Sequence, residues 1–404
     1  MTNLVWVVWE RNETFVMRCN KRLNSRLCLL VALLLCLFIP AQLVAEDRSE
    51  DSSSKPRQRI AMDVLSAQQW TAIDATVDRG LVFLAGKQLE DGSFQAPAVG
   101  QPGITSLCLL AFLSRGHLPN QGPYGEELSR AIDFVLSTQR GDGLFSHLKN
   151  VGSREVSHAA LYNHGISGLM LSEVYGMAEA KQHGRIGKAI PKAVAFLRPY
   201  QSKQKVSRGE KGGWRYLHRS DTSSDLSVTS WQLMFLRSAR NAEFEVPRQY
   251  IDDALVFVKR CFDTNKQAFE YDLTIGYDTY VSGGVVGGGI VALALGGEHQ
   301  SAMAISGGKW ILAQSFDEYN KRPHLFDRYH YSAFYCSQAT FQLGGEYWAK
   351  FYPRLTKTLV AHQRQDGSWD PESTKDTQYG NVYTTALTVL ALTPPYQLLP
   401  IYQR

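Results

Sequence analysis

A short phrase is written twice, near opposite ends of the chain: QLEDGSF from Gln88 to Phe94, and QRQDGSW from Gln363 to Trp369. QRGDGLF, Gln139 to Phe145, is a weaker copy, and KGGWRY, Lys211 to Tyr216, follows Gln201. KQAFEY, Lys266 to Tyr271, is a degenerate copy, and His324 to Phe326 is the expected next one. Internal repetition of this kind means a stacked array, in which no unit buries its own apolar face alone.

The segments around each copy fall into two kinds. Those before it, such as VDRGLVFLAGKQ, LSRAIDFVLSTQ and YPRLTKTLVAHQ, carry apolar residues at three- and four-residue steps with charge on one side. Pro191 and Pro353 are expected in the first turns of two such helices. The segments after it, such as GITSLCLLAFLSRG, GISGLMLSEVYGM and VYTTALTVLALTPP, are apolar on nearly all faces. Helices of the second kind belong inside a ring formed by the first. The expected fold is all-α: an α/α toroid of six helical hairpins over residues 67–404. In the phrase, Asp91-Gly92, Asp142-Gly143 and Asp366-Gly367 supply turns in which Gly takes positive φ. Gln88, Gln139 and Gln363 reach helix-end backbone groups, and Phe94, Phe145 and Trp369 pack over them. The phrase is a structural clasp.

The phrase resembles the QW repeat of squalene and oxidosqualene cyclases. The six hairpins resemble the toroid those enzymes share with protein prenyltransferase β subunits. For a cyclase the resemblance implies a D-x-D-D acid, and none is written here. Asp252 and Asp253 open an outer helix, and Asp225 reads first as the cap of the third inner helix. For a transferase the resemblance implies zinc ligands: Asp278 and His330 match, but Tyr280 stands where that family has Cys. Two ligands are too few, so no zinc site and no cofactor is expected. The G-C-G-E-Q run of complement-like toroids and any lyase motif are also missing.

The N-termini of the inner helices should meet at one face. Tyr162, Asn163, His164, Asp225, Asp278, Tyr280, Tyr329, His330, Tyr331, Tyr379, Asn381 and Tyr383 are therefore the candidate cavity face, with Trp231, Phe334 and Tyr335 as an aromatic wall. Histidines such as His164 and His330 also serve as packed core residues. The glycines from Gly283 to Gly289 fit no nucleotide fingerprint and point to close helix packing.

Ahead of the repeats, Arg18, Lys21, Arg22 and Arg26 precede the apolar run Leu27–Ile39, and Pro40 ends it. That order matches a secretory signal over residues 1–45, with Met17 a better start, or an uncleaved anchor. Residues 46–66 read as a flexible linker. An exported protein is expected. The net charge of +5 includes several of these N-terminal residues, and the repeats carry no basic stripe, so nucleic acid is not a partner. Cys108, Cys261 and Cys336 read as buried thiols.

The expected role is an apolar or lipid ligand, or a protein or glycan partner, bound in the central cavity. Membrane contact would come only through the N-terminal segment. Two alternatives stay open: a divergent isoprenoid cyclase or transferase, and a carbohydrate-active toroid at the cell envelope. An acid of abnormal pKa in a closed greasy cavity would mark the former. An open, aromatic-lined cleft with paired charges would mark the latter.

Overall fold

The computed structural model describes residues 62–219, 222–273 and 279–403, with two short strands at Trp9–Glu10 and Glu13–Thr14. The chain divides into two units, Met1–Ser54 and Lys55–Arg404. Those strands apart, the expected signal segment and the linker up to residue 61 lie outside the described residues, as does Asp278.

Among the described residues, twelve α-helices alternate between outer and inner positions. The outer set is α1 (Ala67–Ala85), α3 (Gly125–Ser137), α5 (Ala180–Ser202), α7 (Arg248–Arg260), α9 (Ala302–Leu312) and α11 (Gly345–Ala361). The inner set is α2 (Gly103–Ser114), α4 (Arg154–Val174), α6 (Leu226–Asn241), α8 (Gly283–Leu295), α10 (Tyr329–Leu343) and α12 (Gly380–Leu392). Each inner helix packs on the inner helices before and after it, and α12 returns to α2, so the ring closes. All of α2 is buried, as its uniformly apolar sequence requires. Between α8 and α10 the backbones nearly touch: a Cβ at Gly287 would lie 2.7 Å from the Tyr335 carbonyl carbon.

The clasps hold this ring together at four seams. Gln88 Nε2 donates to the Gly92 carbonyl inside its own phrase (3.1 Å) and to the Glu127 carbonyl in α3 (2.7 Å). Gln139 repeats this with Gly143 and Ala189 of α5, and Gln201 with Gly212 and Tyr250 of α7. Gln363 closes the circle, reaching Gly367 and Thr76 of α1. Each clasp thus ties one outer helix to the next. Phe94, Phe145, Trp214 and Trp369 are fully buried beside them.

Several local expectations are corrected. The second inner helix starts at Arg154, well ahead of its apolar run, because Ser153 caps it and Ala159, Ala160 and Leu161 already face the interior. Tyr162 and His164 therefore lie within the helix. Pro191 and Pro353 are interior to α5 and α11, whose earlier turns are carried by buried residues such as Ile186 and Tyr347. Asp252 and Asp253 sit past the first turn of α7, and Asp253 instead pairs with Arg198 of α5 at 2.7 Å. The stretch at His324 to Phe326 is no clasp, since Leu325 and Phe326 are exposed. Cys108, Cys261 and Cys336 are buried free thiols.

Candidate functional site

Inner helices run with their N-terminal ends toward one face, and there the ring holds a cavity. It contains about 960 Å³ of atom-free space, part of it open to solvent. All six inner helices contribute to its wall, through residues such as Ile104, Tyr162, Trp231, Val285, Tyr331 and Tyr383. The loops that lead into them add Tyr216, Tyr271, Tyr280, Phe326, Arg328, Asp376 and Tyr379.

Tyrosine dominates this wall. Burial pushes the phenols of Tyr216, Tyr331 and Tyr379 up to about 12, and it also raises those of Tyr162, Tyr271, Tyr280 and Tyr383 well above the usual range. All are neutral hydroxyls at physiological pH, able to donate and accept. Tyr162 Oη donates to Ser227 Oγ at 3.1 Å, and Trp231 Nε1 donates to Tyr331 Oη at 3.1 Å. The Ser227 and Tyr331 hydroxyls lie 2.7 Å apart. On the other side, Tyr280 stacks on Tyr271 at 4.6 Å and meets Phe326 at 4.8 Å. His158 lies 3.9 Å from the Tyr216 ring, and burial lowers its imidazole below the usual range.

The charges form two pairs. Arg328 and Asp376 face the cavity and are in direct ion-pair contact through the guanidinium Nε. Burial works against the Arg328 charge, but Asp376 together with Tyr280, Tyr162 and Tyr383 outweighs it and keeps the group cationic. The Arg328 side chain is 39% exposed, and among the described residues its terminal nitrogens enter no other ion pair. Asp376 is the only carboxylate lining the cavity among the described residues. Behind the wall, Arg215 bonds Asp272 at 2.7 Å and lies 3.9 Å from Asp225. The rings of Tyr216 and Tyr271 stand within 5.4 Å and 5.3 Å of its guanidinium, so this buried pair braces two lining tyrosines.

The sequence candidates divide accordingly. Tyr162, Asn163, Trp231, Tyr280, Tyr331, Tyr379 and Tyr383 line the cavity. Phe334 and Tyr335 support Trp231 from behind, at 5.6 Å and 5.5 Å. Asp225, His164 and His330 are fully buried and are not lining residues. Asp225 caps α6, accepting from Val228 N at 2.7 Å, while burial raises its carboxyl to about 7. His330 meets Thr388 Oγ1 at 2.9 Å, and burial pushes it down to about 3. Tyr329 donates to the Phe316 carbonyl, and Asn381 to Ser368. Arg328, Asp376, Tyr216, Tyr271 and His158 were not anticipated. Only Arg328 had a legible signal, as the residue directly before Tyr329-His330-Tyr331. No group of three or more metal-ligating side chains is found among the described residues.

His164 has a structural task that the repeats expose. The clasp aromatics Phe94, Trp214 and Trp369 donate their backbone N–H to Thr105, Thr229 and Thr385. Phe145 donates instead to His164 Nδ1 at 3.2 Å, while His164 Nε2 faces the Ala193 carbonyl. The imidazole is therefore held neutral, its proton on Nε2, and burial pushes it down to about 4. His164→Ala is expected to cost about 2 kcal/mol by leaving the Phe145 N–H unpaired. His164→Thr should recover part of that loss in chemical denaturation, and equal losses for both would refute the assignment.

The geometry defines an α/α toroid with one tyrosine-lined cavity at its inner-helix N-termini. No family model and no curated protein matches the chain. Solved structures do. The type II terpene cyclase MstE from Scytonema, solved with geranylgeranyl dihydroxybenzoate, is 13% identical; the match covers 83% of this chain and all of that one, with a TM-score of 0.55. The GH76A α-1,6-mannanase of Salegentibacter sp. HEL1_6 is 12% identical over 81% of this chain and 99% of that one, with a TM-score of 0.57. A D-mannose isomerase is 13% identical over 86% and 99%, with a TM-score of 0.56. At such identity the likeness shows the toroid fold and nothing about activity.

Proposed function

We propose that this chain is an exported toroid that binds a neutral, hydroxyl-rich ligand of the saccharide class in its cavity. The observation that carries this reading is a guanidinium and a carboxylate presented side by side on a wall of tyrosines. A vicinal diol fits such a pair: one hydroxyl accepts from Arg328, and its neighbour donates to Asp376. Tyrosine rings supply flat apolar area for a sugar face, and their hydroxyls supply polar contacts at the ring edge. The opposed charges cancel, which favours an uncharged ligand. Two of the toroids with similar folds are a mannanase solved with α-1,6-mannotriose and a mannose isomerase. A cyclase reading needs a protonated acid against the substrate, and the described lining offers only Asp376, held in an ion pair. Export rests on the order of charges, apolar run and Pro40 at the N-terminus; cell fractionation checks it. No helix among the described residues is long and apolar enough to cross a membrane.

Calorimetry tests the ligand class, with neutral oligosaccharides including α-1,6-mannotriose in one arm and geranylgeranyl dihydroxybenzoate in the other. Saccharide binding is expected, weakened at least tenfold by Arg328→Gln and by Asp376→Asn, on the order of the 1.5–3 kcal/mol of a charge-assisted hydrogen bond. Binding of the isoprenoid alone would overturn the reading.

A further inference from the structure

A second concave surface lies at the other ends of the inner helices. The last turns of α6 and α8 and the first turns of α7 enclose a shallow groove. Three arginines line it: Arg237 and Arg240 from α6, and Arg248 from α7. Asp252 is the one carboxylate in the lining, and Arg248 already pairs with it at 3.1 Å.

Arg237 and Arg240 stand one turn apart on the same helix, where side chains are neighbours. Neither forms an ion pair among the described residues. Arg237 Nε is buried and has no hydrogen-bond partner. Burial and the nearby Arg240 charge both work against the Arg237 cation. A helix C-terminus favours one cation in its last turn, and Arg240 fills that role. It gives no reason for a second guanidinium, partly buried and facing a like charge. Beside them, α7 has Pro247 at its N-cap position, which supplies no side-chain cap to its first N–H groups.

We propose that this groove is an oxyanion site, in which Arg237 and Arg240 bind a phosphate, sulfate or carboxylate group and Arg248 closes the rim. A bound oxyanion would accept from the terminal nitrogens of Arg237 and Arg240 and relieve the repulsion between the two guanidinium groups. The chemistry is common to a free phosphate and to an anionic lipid headgroup. This proposal is independent of the cavity ligand.

The test uses the full chain at low ionic strength, with inorganic phosphate followed by calorimetry and thermal unfolding. Vesicles of phosphatidylglycerol, with phosphatidylcholine as control, are followed by co-sedimentation. Phosphate is expected to bind saturably where chloride at equal ionic strength does not. Arg237→Gln and the more exposed Arg240→Gln should each weaken it at least tenfold, while Lys350→Gln on α11 should leave it unchanged. Should Arg237→Gln fail to fold, Arg240→Gln carries the comparison alone. Arginine-dependent binding to anionic vesicles without binding of free phosphate supports the site with a lipid headgroup as its source. Binding that survives both arginine substitutions, or no binding in either arm, overturns the proposal.

Discussion

Gly367→Ala is expected to lower the stability of the toroid by about 4 kcal/mol, the upper range for one substitution. Two independent penalties meet at this residue. Its φ is +87°, a conformation L-residues rarely adopt. A Cβ there would also lie 2.4 Å from the Arg79 carbonyl oxygen of α1, and helix backbone cannot give way as a side chain can. Gly367 sits where the ring closes. Gln363 bonds Thr76 there, Arg79 bonds back to Gln363 at 2.9 Å, and Trp369 packs against Gly80. Moving α1 away to relieve the clash would open that seam. Urea unfolding measures the effect. A loss under 1 kcal/mol would mean the seam yields at little cost and the clasp is no constraint.

The same contact recurs at Gly92, Gly143 and Gly212, where a Cβ would meet the carbonyl oxygens of Arg130, Lys192 and Asp253. This explains why the phrase was readable in the sequence at all. Its Gln, Gly and aromatic each answer a fixed backbone geometry, so the residue type is dictated wherever that geometry repeats. The inner helices were legible for a related reason, since burial on every side leaves only apolar and small residues. The cavity was legible in part. Position at the N-terminal end of an inner helix marked Tyr331 and Tyr383, which line the cavity, whereas Tyr162 lines it from within α4. It failed for His164 and His330, because helix position does not say which way a side chain turns, and both turn into the packing between helices. Arg328 and Asp376 come from separate loops. Their pairing is made by the stacking of the neighbouring helices α10 and α12, and no local pattern encodes it.

At the far end of the ring, the contribution of Glu173 to the stability of the chain is expected to fall as pH rises from about 4.5 to about 7. This residue is 4% exposed, at the end of α4. The Ser238 hydroxyl and Ile401 N donate to its carboxylate, tying the C-terminal segment Pro400–Tyr402 across the inner helices. Gln342 Nε2 secures the same segment through the Tyr402 carbonyl at 3.1 Å. Burial pushes the Glu173 carboxyl from 4.5 up to about 7, more than its two hydrogen bonds pull it down. Between those values the folded chain holds a proton that the unfolded chain has released. The stability is therefore fully present below about 4.5 and lost as pH rises through about 7, a difference of about 3 kcal/mol for this group. Glu372 and Asp225, also raised to about 7 by burial, act with the same sign, while His164 and His330, pushed down by burial, act with the opposite sign up to about 6.5. Glu173→Gln isolates the first contribution. Its amide oxygen can accept from Ile401 N while its NH₂ donates to Ser238, so the tail keeps both bonds without a buried charge. The variant should gain on the wild type at pH 8 relative to pH 4.5 by about 3 kcal/mol. An equal difference at both pH values would mean that Glu173 ionises freely in the folded chain. The C-terminal segment would then be a loose cover rather than a sealed floor to the ring.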